Sequence, residues 1–242
     1  MGMAQFALVT AAIGAIGSCG TDDTVLDTAG PTVDRTIEVS EFDELAVAGP
    51  FKVMVADGAP GAIELSGPEN VLDNMEVEVE DGELVIKMKK GVRTKWSWDD
   101  DSAVTVMMSH NALRGAEIAG SGMIDIAKAA GTDFDGDIAG SGELRIRELA
   151  VSAADFSIAG SGDLMVGGST ERLDLSIAGS GEFMNPEFSA KAADISIAGS
   201  GDVEATVTET ADISIAGSGD VALTGGAKCT VSKAGSGNVV CG

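Results

Sequence analysis

Tyrosine is absent from this 242-residue chain, histidine occurs once and only nine residues are aromatic. A core with so few rings must be filled by Ile, Val, Leu and Ala. Basic residues are scarce as well. Fifteen Lys and Arg stand against 39 Asp and Glu, leaving a net charge of −24. That imbalance argues against nucleic acid or an anionic lipid surface as the main partner, because both repel it. No 3.6-residue period is visible, which excludes helical repeats. No apolar run is long enough to span a bilayer as a folded helix. Disorder is excluded too, since 44% of the residues are hydrophobic. Glycine is what the chain has in excess, at 33 residues. The length fits one domain or one elongated repeat array.

Residues 1–19 differ from the rest. FALVTAAIGAIG has the length of a secretory apolar region, although no Lys or Arg precedes it. It ends in Ile16-Gly17-Ser18-Cys19, followed by Gly20. The tetrapeptide resembles the bacterial lipobox, in which the cysteine is lipidated and becomes the mature N-terminus. The alternative is an ordinary signal peptide with a cysteine at its cleavage site. Residues 20–32 are polar and without period, and read as a tether. As a flexible coil it would reach roughly 20 Å.

The string IAGSG begins at Ile118, Ile138, Ile158, Ile177, Ile197 and Ile215, and KAGSG begins at Lys233. A unit recurring every 18 to 20 residues is a solenoid. Within each unit apolar and polar residues alternate on both sides of the glycines, as in Asp212-Ile213-Ser214-Ile215 and Asp220-Val221-Ala222-Leu223. Strand, Gly-Ser-Gly corner, strand and a looser third stretch make one coil of a parallel β-helix. The drifting period does not suit a left-handed hexapeptide helix, and right-handed winding is the general preference. The fold class is therefore all-β, a right-handed parallel β-helix of about 18–20 residues per coil, with its regular part at 114–242. Residues 33–113 read as a degenerate N-terminal part of the same solenoid. Val47-Ala48-Gly49-Pro50 looks like a worn corner, and Leu65-Ser66-Gly67 echoes it eighteen residues on.

FDELAVAGPFKVMVADG, IELSGPENVLDNMEVEVEDGELVIKM and the serial IAGSG corners together resemble the bacterial GIN head domain family, labelled auto-transporter adhesins. The likeness spans nearly all of residues 35–242. It implies an envelope protein with a β-helical fold, and carries over no catalytic or ligand residues. The Trp-containing loop near residue 97 has no counterpart in the family's pattern.

Two acidic columns are expected to stack outward along the coils. One comprises Asp135, Asp155, Asp174, Asp194 and Asp212, the other Glu143, Asp163, Glu182, Asp202 and Asp220. Solvation, with carboxylates accepting corner N–H groups, accounts for them better than Ca²⁺, because the spacing differs from known calcium loops. Arg145 and Arg147 beside Glu143 are the nearest approach to a polysaccharide-cleaving site. His110 lies in a polar stretch, SHNALRG, that suits a loop role. No catalytic residue, metal site or cofactor is implied. KMKKGVRTKWSWDDD is the compositional oddity. Arg93, Lys95, Trp96 and Trp98 could contact a glycan or an envelope protein, or the Trp pair could cover the solenoid's flank. Cys229 and Cys241 remain once Cys19 is assigned to processing, and in an oxidising compartment they should form a disulfide tying the last coil.

The reading that follows is a non-enzymatic lipoprotein, exported to the envelope of a Gram-negative-type bacterium. It acts as a binding or adhesion module and touches the membrane only through its lipid. A structural envelope component without a ligand is the alternative, and a polysaccharide-active enzyme comes third.

Overall fold

A computed structural model describes residues 24–27, 30–95 and 104–242. Cys19 and the tryptophans lie outside these residues. Apart from one helical turn, every element is a strand. The chain begins with β1 (Thr24–Asp27), β2 (Thr32–Ile37), β3 (Glu44–Ala48), β4 (Lys52–Ala56) and β5 (Ile63–Pro68). The turn α1 (Glu69–Leu72) leads to β6 (Met75–Glu80), β7 (Glu83–Met88), β8 (Val92–Lys95) and β9 (Thr105–Ser109). The repeats begin with β10 (Gly115–Gly120), β11 (Met123–Ile126), β12 (Ala129–Ala130) and β13 (Asp133–Gly140). Four long strands then each run from one corner to the next: β14 (Glu143–Gly160), β15 (Asp163–Gly179), β16 (Glu182–Gly199) and β17 (Asp202–Gly217). The last coil holds β18 (Val221–Thr224), β19 (Lys228–Gly235) and β20 (Val239–Cys241).

Strands stack in parallel on both sides of the corner, as a β-solenoid requires. Before the corner the order is β7, β3, β10, β13, β14, β15, β16, β17, β19. After it the order is β9, β4, β11, β14, β15, β16, β17, β18, β20. The register is residue for residue at the motif. Ile86, Val47, Ile118, Ile138, Ile158, Ile177, Ile197 and Ile215 form one inward column, each at most 3% exposed. A row of stacked β-branched side chains replaces the aromatic core that the composition forbids. Five of the seven phenylalanines are fully buried, and Phe134, Phe156, Phe183 and Phe188 meet ring to ring at 5.8–6.2 Å.

The corners have a steric cause. Gly160 sits at φ +136°, and a Cβ there would strike the carbonyl oxygen of Gly140 in the coil above. Close approach lets the Ser161 N–H donate to the Gly140 oxygen at 2.8 Å, and the bond recurs from Ser180 to Gly160 at 2.8 Å. Glycine is thus required twice over, by the backbone angle and by the neighbouring coil.

Two N-terminal expectations are corrected. Leu65-Ser66-Gly67 is not a further copy of the corner. It belongs to β5, which runs antiparallel to β9, with Leu65 opposite Val106. Spatial order also departs from chain order, because the coil built from β7 and β9 lies outside the earlier coil of β3 and β4. Antiparallel β6 on β7, and β5 and β2 beyond β9, then close that end. A short reversal can place an antiparallel strand, so the end is blunted without another full turn. The stretch expected to be a tether holds β1, which pairs in parallel with β8.

At the other end the Ile column finishes in Lys233, whose ammonium donates to the Gly237 carbonyl at 2.6 Å. Cys229 and Cys241 are disulfide-bonded with Cα atoms 6.6 Å apart, linking β19 to β20. The expected tie is present, though Cys229 is only half-buried and Cys241 is exposed. Among the described residues no coil lies beyond them.

One buried side chain replaces backbone pairing. Between Leu164 and Gly168 the β15–β16 register slips. There the Asn185 amide accepts from Val166 N–H at 2.5 Å and donates to the Leu164 carbonyl at 2.9 Å. Asn185→Ala should leave both groups unpaired in the core and cost about 1–3 kcal/mol in a urea melt. Removing the disulfide with Cys229→Ser/Cys241→Ser should cost about 3 kcal/mol at most, the chain-entropy value for a loop of this size. Mass spectrometry of the unreduced wild type should find no free thiol at either position.

Candidate binding surfaces

One corner differs from all others. Ala48 and Lys52 are four residues apart across their corner, as are Ala119 and Met123 (52 − 48 and 123 − 119). The matching positions in the outermost coil, Lys87 and Thr105, are eighteen apart (105 − 87). The Gly-Ser-Gly turn is replaced there by an excursion carrying β8 and, in sequence, Trp96 and Trp98. Arg93 lies on β8 opposite Val25, and Lys95 lies opposite Asp27. Arg93 is exposed. Lys87 reaches Glu78 at 3.1 Å and Glu76 at 3.7 Å, and Lys89 donates to the Asp73 carbonyl at 2.6 Å. So the candidate residues Arg93 and Lys95 are together on β8, while Trp96 and Trp98 lie outside the described residues.

Both acidic columns stand where strand parity put them. Asp135, Asp155, Asp174, Asp194 and Asp212 are exposed and in register, one per coil. Glu143, Asp163, Glu182 and Asp202 stack likewise. In the second column the carboxylates accept backbone hydrogen bonds from the coil below. The Asp220 N–H donates to Asp202 at 3.0 Å, and the Asn238 N–H donates to Asp220 at 2.7 Å. Among the described residues no three His, Cys, Asp or Glu side chains gather as a metal site would need.

Residues 41–227 match the sequence profile of the family described as "Putative auto-transporter adhesin, head GIN domain". The chain belongs to that family. Solved structures share the fold. A "putative adhesin" from Bacteroides fragilis NCTC 9343 superposes with a TM-score of 0.80 at 21% identity, covering 89% of this chain and 99% of its own. A "putative lipid binding protein" from Parabacteroides distasonis ATCC 8503 gives 0.70 at 25% identity, with 90% and 100% covered. A "putative adhesin" from the same organism gives 0.72 at 20%, with 90% and 99% covered. No curated protein matches this chain.

In this GIN head domain the arginines beside Glu143 are consumed by pairing. Arg145 holds Glu143 at 2.6 Å, and Arg147 grips the buried Asp125 of the coil above with two bonds of 2.9 and 2.7 Å. Coil-to-coil pairing of this kind is structural and leaves no acid and base facing a common cleft. His110 lies in the loop after β9, as the sequence suggests, and is buried there at 3% exposed, its ring 4.9 Å from that of Phe42. Its Nδ1 accepts from Ala112 N–H at 3.1 Å, so its Nε2 carries the proton and donates to the Phe42 carbonyl at 2.9 Å. Its burial was not legible in the sequence, because the flanking Ser109 and Asn111 are polar. The concavities are shallow. One of about 360 Å³ runs along the Ser176, Ser196, Ser214 and Ser232 column, another of about 460 Å³ along Ser152, Thr170 and Ser189. Both are long open grooves and neither encloses a small molecule.

Crowding of the upper acidic residues has an electrostatic consequence. Desolvation by adjoining coils raises the carboxyl pKa of Asp155, and Asp174, Asp135 and Asp137 raise it further. Asp135, Asp137 and Glu117 are raised for the same first reason, each with a neighbouring carboxylate adding to it. Glu83 is raised by desolvation and then by Glu117, Glu44 and Glu80. A carboxyl whose pKa is raised on folding binds its proton more tightly in the folded state. Its contribution is fully present below the ordinary carboxylate range and is lost as pH rises through the raised values. Glu171, lowered by Lys191, has the opposite sign, but the pair is fully exposed and its effect is small. The urea midpoint should therefore rise as pH falls from neutrality towards the upper edge of the carboxylate range. Asp155→Asn should raise the midpoint at neutral pH and flatten that rise. Added EDTA should leave it unchanged, whereas a calcium-dependent midpoint would show that a metal offsets the repulsion.

Proposed function

We propose that this GIN head domain is a non-enzymatic envelope lipoprotein, held by a lipid on Cys19, whose β-solenoid serves as a binding or adhesion module. The observation that carries the reading is the outermost corner. The excursion from Lys89 to Val104 interrupts an otherwise uniform stack and holds four of the fifteen basic residues and both tryptophans of the chain. Its Arg93, Lys95, Trp96 and Trp98 form the proposed contact region. Three further points support the reading. The family is described as "Putative auto-transporter adhesin, head GIN domain", the two grooves described above are open, and Arg145 and Arg147 are bound to carboxylates. No helix among the described residues is long and apolar enough to cross a membrane; the proposed attachment rests on the Ile16-Gly17-Ser18-Cys19 sequence.

Cys19→Ser should move the protein from the membrane fraction to the periplasm or medium, as read by fractionation and immunoblot. Unchanged fractionation would refute the anchor. Trp96→Ala/Trp98→Ala should abolish binding by the contact region without changing the urea midpoint. A midpoint lowered by several kcal/mol-equivalents of stability would instead assign the pair to packing.

A further inference from the structure

Large apolar side chains that reach the surface are not scattered. Met107, Met165, Met184 and Val240 are 39–54% exposed and share one outward column on the strands after the corner. In register it runs Met107, Met54, Asp125, Arg145, Met165, and further on Met184, Glu204, Ala222, Val240. Met165 and Met184 follow the paired Leu164 and Phe183. Before the last coil, every long apolar residue of this column is a methionine. Inward, the same strands use Val, Ile, Leu and Phe almost throughout. Packing does not account for methionine facing water. What sets it apart from leucine there is a soft, polarisable thioether.

The sulfurs form two adjacent pairs, and the pairs differ. The Arg145 guanidinium donates to Met165 Sδ at 3.4 Å, so a cation at Met165 and Met184 would meet an arginine. Met54 and Met107 lie opposite one another on parallel β4 and β9, one strand spacing or about 4.8 Å apart. Beyond Met107, antiparallel β5 places the exposed Glu64 directly opposite. Met123 pairs with Lys52, two residues before Met54, and so stands diagonally from Met54. Diagonal neighbours are within reach of long side chains. Lys52 is exposed, and its stem lets the ammonium turn out to water. Asp125, on the other side of Met54, is held by Arg147 and is not counted as a ligand.

We propose that Met54, Met107 and Met123, with the carboxylate of Glu64, form a binding site for a soft monovalent cation of the Cu(I) class. Thioether sulfur suits such an ion, whereas Ca²⁺ and Mg²⁺ take oxygen ligands. Two sulfurs one strand spacing apart can close on a single ion from both sides while the backbone stays in register. Glu64 sets a negative charge against the ion, and the net charge of −24 raises the local concentration of any cation. The solenoid register here does the work of a metal-binding loop, since it brings together residues far apart in sequence. The site is independent of the lipid anchor and of the tryptophans.

The test uses the full chain carrying Cys19→Ser, which leaves no free thiol because Cys229 and Cys241 are joined. Its methionines are labelled with ¹³C at the methyl group and assigned by single Met→Leu changes. Silver nitrate in chloride-free buffer supplies Ag(I), a soft ion that does not change oxidation state. The Met54, Met107 and Met123 methyl signals should shift together and saturate at one ion per chain, while those of Met165 and Met184 stay. Met54→Leu and Met107→Leu should each weaken binding by roughly tenfold or more. Met165→Leu/Met184→Leu should leave it unchanged. All these side chains face outward, so the urea midpoint should not move, and a variant that keeps its midpoint but not its affinity reports on ligation. Equal shifts at all five methionines, or a loss spread evenly over the variants, overturn the site in favour of unspecific thioether binding. No shift at Met54 and Met107 overturns it outright. A Met123 signal that stays, or a Glu64→Gln chain that binds as before, overturns that group's part alone.

Discussion

Contact between the glycine corner of one coil and the carbonyl of the corner above fixes everything else in this molecule. Gly160 against Gly140, and its equivalents, leave no room for a side chain or for a shift of register. Once corners sit directly over one another, every other position must also stack on its own copy. The isoleucines then form an inward column, and the aspartates three residues before them form an outward one. The charge repulsion along that outward column is a consequence of the same register that packs the core. In-register carboxylates a strand spacing apart repel by roughly 1 kcal/mol in water. In the second acidic column the same repulsion is partly offset by backbone N–H groups directed at Asp202 and Asp220.

A stack with strict register has the problem of ending. Each inner coil buries its core face between two neighbours, and a terminal coil has only one. The two ends use different means. At the first, antiparallel β6, β5 and β2 cover the strand edges, and the turn α1 packs Val71 and Leu72 into the core. At the last, no element among the described residues covers the coil. Lys233 replaces the isoleucine of the column, and a disulfide joins the two sides of the corner. A lysine at an edge also discourages pairing with another chain, since its charge would have to be buried.

Legibility in the sequence follows the same division. Wherever the corner motif persists, register, facing and columns could be read directly, because glycine spacing and strand parity determine them. Val47-Ala48-Gly49 was legible as a corner for this reason and does stack on Ile118. Leu65-Ser66-Gly67 has nearly the same letters but belongs to an antiparallel strand. Local pattern cannot distinguish a parallel neighbour from an antiparallel one when both alternate. The coil of β7 and β9 was not legible either, since its corner is an excursion and its place outside β3 and β4 is a long-range fact. His110 was legible as a loop residue, but its polar neighbours hid its burial against Phe42. Asn185 gave one signal that was available, an Asn-Pro step inside an alternating strand, where a backbone ladder must be interrupted.

The excursion at the first coil shows why a solenoid suits this arrangement. An interior coil could not lengthen its corner without separating the glycine contacts on both sides. The outermost coil has a corner neighbour on one side only. There the chain can leave the stack after Met88 and return at Thr105 without breaking the column of Ile86 and Val47. A uniform scaffold thus has one position where an irregular, basic, aromatic segment costs little. The same position receives the incoming chain as β1. β1 and the excursion therefore share the one irregular corner of the stack, and the regular acidic coils run on from the opposite face of that coil.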